Sequence, residues 1–281
     1  MQSYSEGAMP VKVVASVSSI LSIVLLQVLI LSQVTSAQPK QQEPTADSVW
    51  EAAMAAKGGR ERLHTVKSLY AMRSLPENDR DYDFYVFPSY SYVYSYGGRR
   101  EDVAKVIWND KLNCSWWLSP SGKPAQLIKD EEDDRRGMVE AQLLYLMETR
   151  WLKPTILKTE KMRVGFSKVD VVDVEAQGYQ ARFYLDGKTH LPYKVFFPDK
   201  RILVEGAVGE ILQLADYTSV DGIMMPAKIT HSFVVAPGRW KEEVKYEINP
   251  PYKEEFFYHP PTLRTQPESW RLTNTTTSAL P

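Results

Sequence analysis

The sequence predicts an α+β protein that is mainly β, with one antiparallel sheet and a few helices to cover it. Three observations predict this. From about residue 67 to residue 259 most segments alternate apolar and polar side chains, the period of two that a pleated strand imposes. Many of these segments are separated by short turn-like connectors (Asn109-Asp110, Asp186-Gly187, 198–200), which suit hairpins and are too short for parallel crossovers. Only two stretches carry apolar residues at helical spacing.

The chain opens with Lys12 ahead of a run over 13–31 that is broken only by serines and one glutamine, followed by SQVTSAQPKQQ. This is the pattern of a secretory signal, with small Thr35 and Ala37 suited to a cleavage site. Residues 1–37 are therefore expected as a signal peptide and 38–46 as a polar linker. Because the run approaches the roughly 20 apolar residues that span a bilayer, an uncleaved anchor is the alternative. Both place the rest of the chain outside the cytoplasm, and the periplasm is the expected compartment.

The first helix is expected in PTADSVWEAAMAAKGG, where Thr45 or Asp47 can accept from the free amides at its start and Gly58 or Gly59 can end it in a left-handed conformation. Val49, Trp50, Ala53 and Ala56, flanked by Met54, give it one apolar side. After GRERLHTV the period turns to two. Over 82–96 the tyrosines Tyr90, Tyr92, Tyr94 and Tyr96 share one strand face, and Pro88 marks a bend or an edge. Further strands are expected over 101–109, 111–119, 168–176, 179–186, 191–197, 209–217, 226–235 and 239–248. The second helix is expected within 128–154, where an acidic cluster at 130–134 precedes Met138, Val139, Gln142, Leu143, Leu146, Met147 and Trp151, and Pro154 stops it. Residues 262–281 are polar and patternless and are expected to be a flexible tail, with Trp270 alone resembling an anchor.

Composition and motifs exclude more functions than they support. A formal net charge of -1 argues against a general nucleic-acid binder, which needs a basic face to displace counterions from phosphates, though a total says nothing of local patches, and no nucleic-acid partner is expected. Five consecutive carboxylates on one helical turn point in different directions and cannot all meet one cation, so the acidic cluster reads as a solvated helix start. His64, His190, His231 and His259 lie far apart without metal-ligand spacing. Neither a nucleophile elbow nor a glycine-rich phosphate loop occurs. Asp186 and His190 are the nearest approach to an enzyme-like pair, but Asp186-Gly187 is a ready-made turn, and Asp221-Gly222 repeats it with a proline a few residues on. Cys114, the single cysteine, reads as a small buried hydrophobe and forms no internal disulfide. The expectation is a protein that is not an enzyme, with no cofactor and no metal.

One feature remains after these exclusions: a large aromatic surface on strands with too few helices to hide it. In AAMAAKGGRERLHTVKSLYAMRS, ARFYLDGKTHLPYKVFF, LADYTSVDGIMMPAKIT and YEINPPYKEEFFYHPP, taken in this order, the chain resembles the bacterial periplasmic outer-membrane lipoprotein carriers and sorting proteins of the LolA/LolB-like superfamily. The resemblance covers about 47–261. It implies a half-open curved antiparallel sheet, an incomplete barrel, with helices over its concave face and a hydrophobic cavity between them that holds acyl chains. The carriers' cavity arginine has two candidate counterparts, Arg73 and Arg163, and the motifs select neither. The expected lining combines helix residues Trp50, Met54, Leu143, Met147 and Trp151 with strand residues Tyr90, Tyr92, Tyr94, Trp116 and Phe183. The expected ligand is a lipid or a lipoprotein acyl chain, bound by a monomer. The alternative function is an envelope regulatory or protein-interaction module on the same fold.

Overall fold

The computed structural model describes residues 45–76, 79–96, 103–118, 126–129, 132–199, 208–234 and 239–272. The expected signal peptide, the linker up to residue 44 and the last nine residues of the expected tail lie outside them.

Helix α1 (Ala46–Lys57) starts where Thr45 accepts from the Ser48 amide through its side chain at 3.2 Å, and it ends at Gly58, whose φ of 126° no β-carbon tolerates well. A short turn of helix, α2 (Arg60–Leu63), leads into the first arm of the sheet: β1 (Ser68–Ser74), β2 (Arg80–Val86), β3 (Tyr90–Tyr96), β4 (Val103–Asn109), β5 (Cys114–Leu118) and β6 (Gln126–Lys129). Helix α3 (Glu132–Leu146) then separates this arm from the second: β7 (Thr155–Val164), β8 (Ser167–Ala176), β9 (Tyr179–Asp186), β10 (Pro192–Pro198), β11 (Gly209–Val220), β12 (Ile223–Phe233) and β13 (Arg239–Ile248).

The strand order is β6-β5-β4-β3-β2-β1-β13-β12-β11-β10-β9-β8-β7, with every neighbouring pair antiparallel. The chain thus builds one arm outward from β1, crosses through α3, and returns from the opposite edge until β13 pairs with β1, Leu69 facing Ile248 and Arg73 facing Val244. The edges β6 and β7 do not pair, so the sheet is half-open, a mainly β architecture of the kind expected.

Three local expectations need correction. The run over 82–96 is a hairpin rather than one bent strand, because the chain turns at Phe87-Pro88 and sets Val86 opposite Tyr90. Part of the segment assigned to the second helix is strand β6. Strand β7 was not anticipated: as an edge strand exposed over most of its length it lacks the one-sided burial that produces alternation.

The sheet buries two separate apolar layers. On its inner face α1 and α3 pack against β1 and β8–β13, joining Trp50, Met54, Leu143, Met147, Phe183, Leu212 and Met225 in one core. On its outer face residues 252–270 fold back over β1–β4 and enclose Tyr70, Phe84, Tyr90, Tyr92, Tyr94 and Ile107 with Phe257 and Trp270. The segment from 262 to 272, expected as flexible tail, is therefore part of the folded domain: Trp270 is fully buried and stacks on Phe84 with centroids 3.7 Å apart.

Candidate functional site

The residues expected to line one cavity are divided by the sheet. Trp50, Met54, Leu143, Met147 and Phe183 meet in the inner layer, where Trp50 sets its edge 5.4 Å from the Phe183 ring, and half-buried Trp151 packs against them. Tyr90, Tyr92, Tyr94 and Trp116 belong to the outer layer and cannot share a ligand with the others. Their partners there are specific: Tyr90 donates to Glu254 Oε1 at 2.7 Å and stacks on Phe257, while Tyr92 donates to the Gln266 carbonyl at 3.2 Å. Alternation placed these tyrosines on a common face correctly. It could not say which face the helices cover.

The inner layer is closed. Trp50, Met54, Leu143, Met147 and Phe183 are each no more than 2% exposed, so packed side chains stand where a hydrophobic cavity is expected, with two smaller clefts, open to solvent, beside them. The clefts flank α3. One, of about 210 Å³, lies beside Gly137, Glu140, Ala141, Leu144 and Tyr145 of the helix. The other, of about 270 Å³, lies beside Arg135, Met138, Val139 and Gln142 and is completed by Trp108 and Trp151. Helix α3 therefore sits as a wedge between them.

The first cleft is polar where it meets the sheet. Because Arg73, Asp83, Glu242 and His231 stand on inward positions of β1, β2, β13 and β12, adjacent strands bring them together. Arg73 reaches Asp81 at 3.2 Å, Asp83 at 2.9 Å and Glu242 at 3.2 Å, and His231 joins Glu242 at 3.2 Å to Glu210 at 2.6 Å. Burial works against the Arg73 cation, but the carboxylates of Asp83, Glu242 and Asp81 outweigh it and hold the guanidinium well above its ordinary range. Burial pushes the Asp83 carboxyl up to about 6, with Arg73 opposing. For His231 burial is again overcome, here by Glu210 and Glu242, and the imidazole rises to about 9. Two cations thus face four carboxylates across one buried row.

Of the two candidates for a cavity arginine, Arg73 faces this cleft and Arg163 is exposed on β7. The sequence shows His231 only as one of four histidines without metal-ligand spacing. A signal for it existed in the sequence, since Glu210, His231 and Glu242 fall on inward positions of three consecutive strands, but only the register makes them neighbours.

Both ends of α3 are tied down. Near its start Ser115 donates to Asp134, and Arg136 holds Glu140 at 2.6 Å and the carbonyls of Pro198 and Asp199 at 2.8 and 2.7 Å. After its end Met147 turns into the left-handed region with φ 65°, and Glu148 accepts from Arg60 at 2.9 Å and meets His64 at 2.8 Å. The acidic helix start is thus partly used in packing rather than wholly solvated. Lys57, not singled out from the sequence, is fully buried at the end of α1; its ammonium donates to the Met224 carbonyl at 2.6 Å, and burial lowers its pKa to about 7.

Asp186 and His190 make no side-chain pair. The Asp186 carboxylate accepts from the Thr189 and Lys188 amides at 2.8 and 3.0 Å, and the His190 amide donates to the Asp186 carbonyl. The pair serves the turn between β9 and β10. Asp221, with φ 49°, and Gly222, with φ 77°, likewise form the two-residue connection between β11 and β12.

No protein-family model matches the chain, and no curated protein matches it. Solved structures similar to it include a LolA superfamily protein from Nitrosomonas europaea, 13% identical, covering 72% of this chain and 91% of that one with a TM-score of 0.42. A DUF1329 family protein from Desulfovibrio piger is 12% identical and covers 78% of this chain and 98% of that one with a TM-score of 0.45. The likeness is to a LolA-like fold at low identity, and it carries no functional weight.

Proposed function

We propose that this is an exported, non-enzymatic carrier-like protein of the periplasm that takes one acyl chain of a lipid or lipoprotein into the groove now filled by α3. The observation that carries the reading is the cleft on each side of that helix. Ligand pockets usually measure roughly 300–1,000 Å³, and neither cleft reaches that alone. Outward movement of α3 merges them and bares Met54, Leu143, Met147 and Phe183 to the ligand. Burying each methylene of a chain there yields about 0.8 kcal/mol, enough over a whole chain to offset the exposure of one helix face. Methionine suits the wall of such a site, because its unbranched thioether repacks at little cost, and Met54, Met138, Met147 and Met225 all lie in this layer. In this reading the contacts of Arg136 and Glu148 are the latches that open.

The test combines two measurements on the full chain. Protein purified from its native membrane envelope is expected to carry lipid identifiable by mass spectrometry, and the lipid-free form to bind a fluorescent fatty acid with increased amide exchange in α3. Empty preparations together with no uptake overturn the proposal and leave the interaction-module alternative.

A further inference from the structure

The hairpin of β7 and β8 ends in a two-residue loop, Gly165-Phe166, closed by the pair Val164 and Ser167. Such loops favour glycine, asparagine and aspartate, because their backbone must turn through the left-handed region, and Gly165 does so with φ 60°. Phe166, the second central residue, is not left-handed, so the turn makes no demand on its side chain. Phe166 is fully exposed, and on the strand leading to it Met162 is 41% and Val164 51% exposed. Three apolar side chains thus project at one end of the sheet.

The charge around them is net positive. Between 158 and 168 stand Lys158, Lys161, Arg163 and Lys168, all exposed, against Glu160, which pairs with Lys158 at 2.9 Å. With Asp170 in register with Lys161, four cations stand against two carboxylates, a local excess of positive charge in a chain whose net charge is -1. A protein strand adding to the open edge of β7 would meet the irregularity between Ile156 and Lys158 and a row of basic side chains, both of which discourage edge pairing. An apolar tip inside a basic collar instead matches the boundary of an anionic bilayer, where the tip enters the acyl region and the collar meets the headgroup charge.

We propose that the β7–β8 hairpin docks the protein on an anionic membrane surface, inserting Phe166, Val164 and Met162 while Lys161, Arg163 and Lys168 contact headgroups. This is independent of the acyl-binding reading, since the hairpin lines neither cleft.

The experiment places an environment-sensitive fluorophore on the full chain through Phe166→Cys, which is selective because Cys114 is buried. The label reports only its own surroundings, so membrane attachment through residues 13–31 does not imitate the signal. Vesicles of phosphatidylcholine mixed with phosphatidylglycerol are expected to shift the emission to the blue, and phosphatidylcholine alone is not. Adding Lys161→Glu and Arg163→Glu is expected to raise the anionic-vesicle concentration needed for the shift by roughly tenfold or more, with an unchanged melting curve. An equal shift on neutral vesicles overturns the charge recognition. A label that stays in water with every vesicle overturns the docking and assigns the hairpin to a protein partner.

Discussion

The two faces of one sheet are packed by different means. The outer face of β1–β4 is covered by rings in fixed mutual geometry: Phe84 stacks on Trp270 at 3.7 Å, Tyr90 on Phe257 at 4.8 Å, and Lys105 donates to the carbonyls of Thr262 and Leu263. The inner face is covered by helices that contribute methionine, leucine and alanine together with Trp50 and Tyr145, with clefts beside α3 and an ionic row beneath it. Stacked rings with hydrogen-bonded edges have one good arrangement, whereas flexible aliphatic chains have several of similar energy. The difference is one of mixture: the outer face of β1–β4 is held mainly by rings with hydrogen-bonded edges, whereas the inner face combines rings such as Trp50, Tyr145 and Phe183 with the flexible side chains of Met54, Met138, Met147 and Met225.

The comparison breaks most severely at Trp270. Trp270→Ala should remove toward the upper end of the ~3–5 kcal/mol typical of a buried indole, seen as a lower urea midpoint, while the folded fraction still takes up fatty acid. Equal loss of uptake would mean that the two faces are not separable. On the inner face Arg73→Met leaves Asp83 buried without its cation, while Glu242 keeps His231, and should cost about 3 kcal/mol. Adding Asp83→Asn should recover much of the loss, since it is the unpaired charge that destabilises.

A smaller effect follows from His231, whose folded pKa of about 9 lies above its ordinary 6.5. The folded state then holds the proton more tightly than the unfolded chain, so the stabilisation is complete below about 6.5 and is lost as pH rises through about 9. His231→Gln should flatten this part of the stability profile, measured by urea melts across that window; an unchanged slope would remove His231 from the ionic row. The smallest effect is expected from Met54→Leu, which conserves volume. It should alter stability by less than about 1.5 kcal/mol but weaken acyl uptake, because a branched chain repacks less freely. Uptake unaffected by it would argue against a pliable wall.

Much of the fold was legible because strand alternation and turn chemistry are local. Asp186-Gly187 and Asp221-Gly222 form the turns read from them, Thr45 caps α1, and the segment from 179 to 186 is strand β9. Strand β7 escaped because an edge exposed on both sides leaves no period to find. The candidate site was legible only in part. The resemblance grouped Trp50, Met54, Leu143, Met147 and Phe183, which do meet, with tyrosines of β3 that lie on the other face, and it offered Arg73 beside Arg163 while its row with Asp81, Asp83, Glu242, His231 and Glu210 was not singled out.

By itself the sequence determined that this chain makes a single kind of sheet, where its helices interrupt it, and that charged catalytic motifs are wanting, since each of these follows from residues near one another along the chain. Tertiary structure alone decided which side of the sheet faces the helices, that residues 252–270 cover the other side, and that six ionisable groups from five strands share one row. The physical reason is that a strand presents two equivalent faces to its own sequence, and only strand register and the return of distant segments make them different.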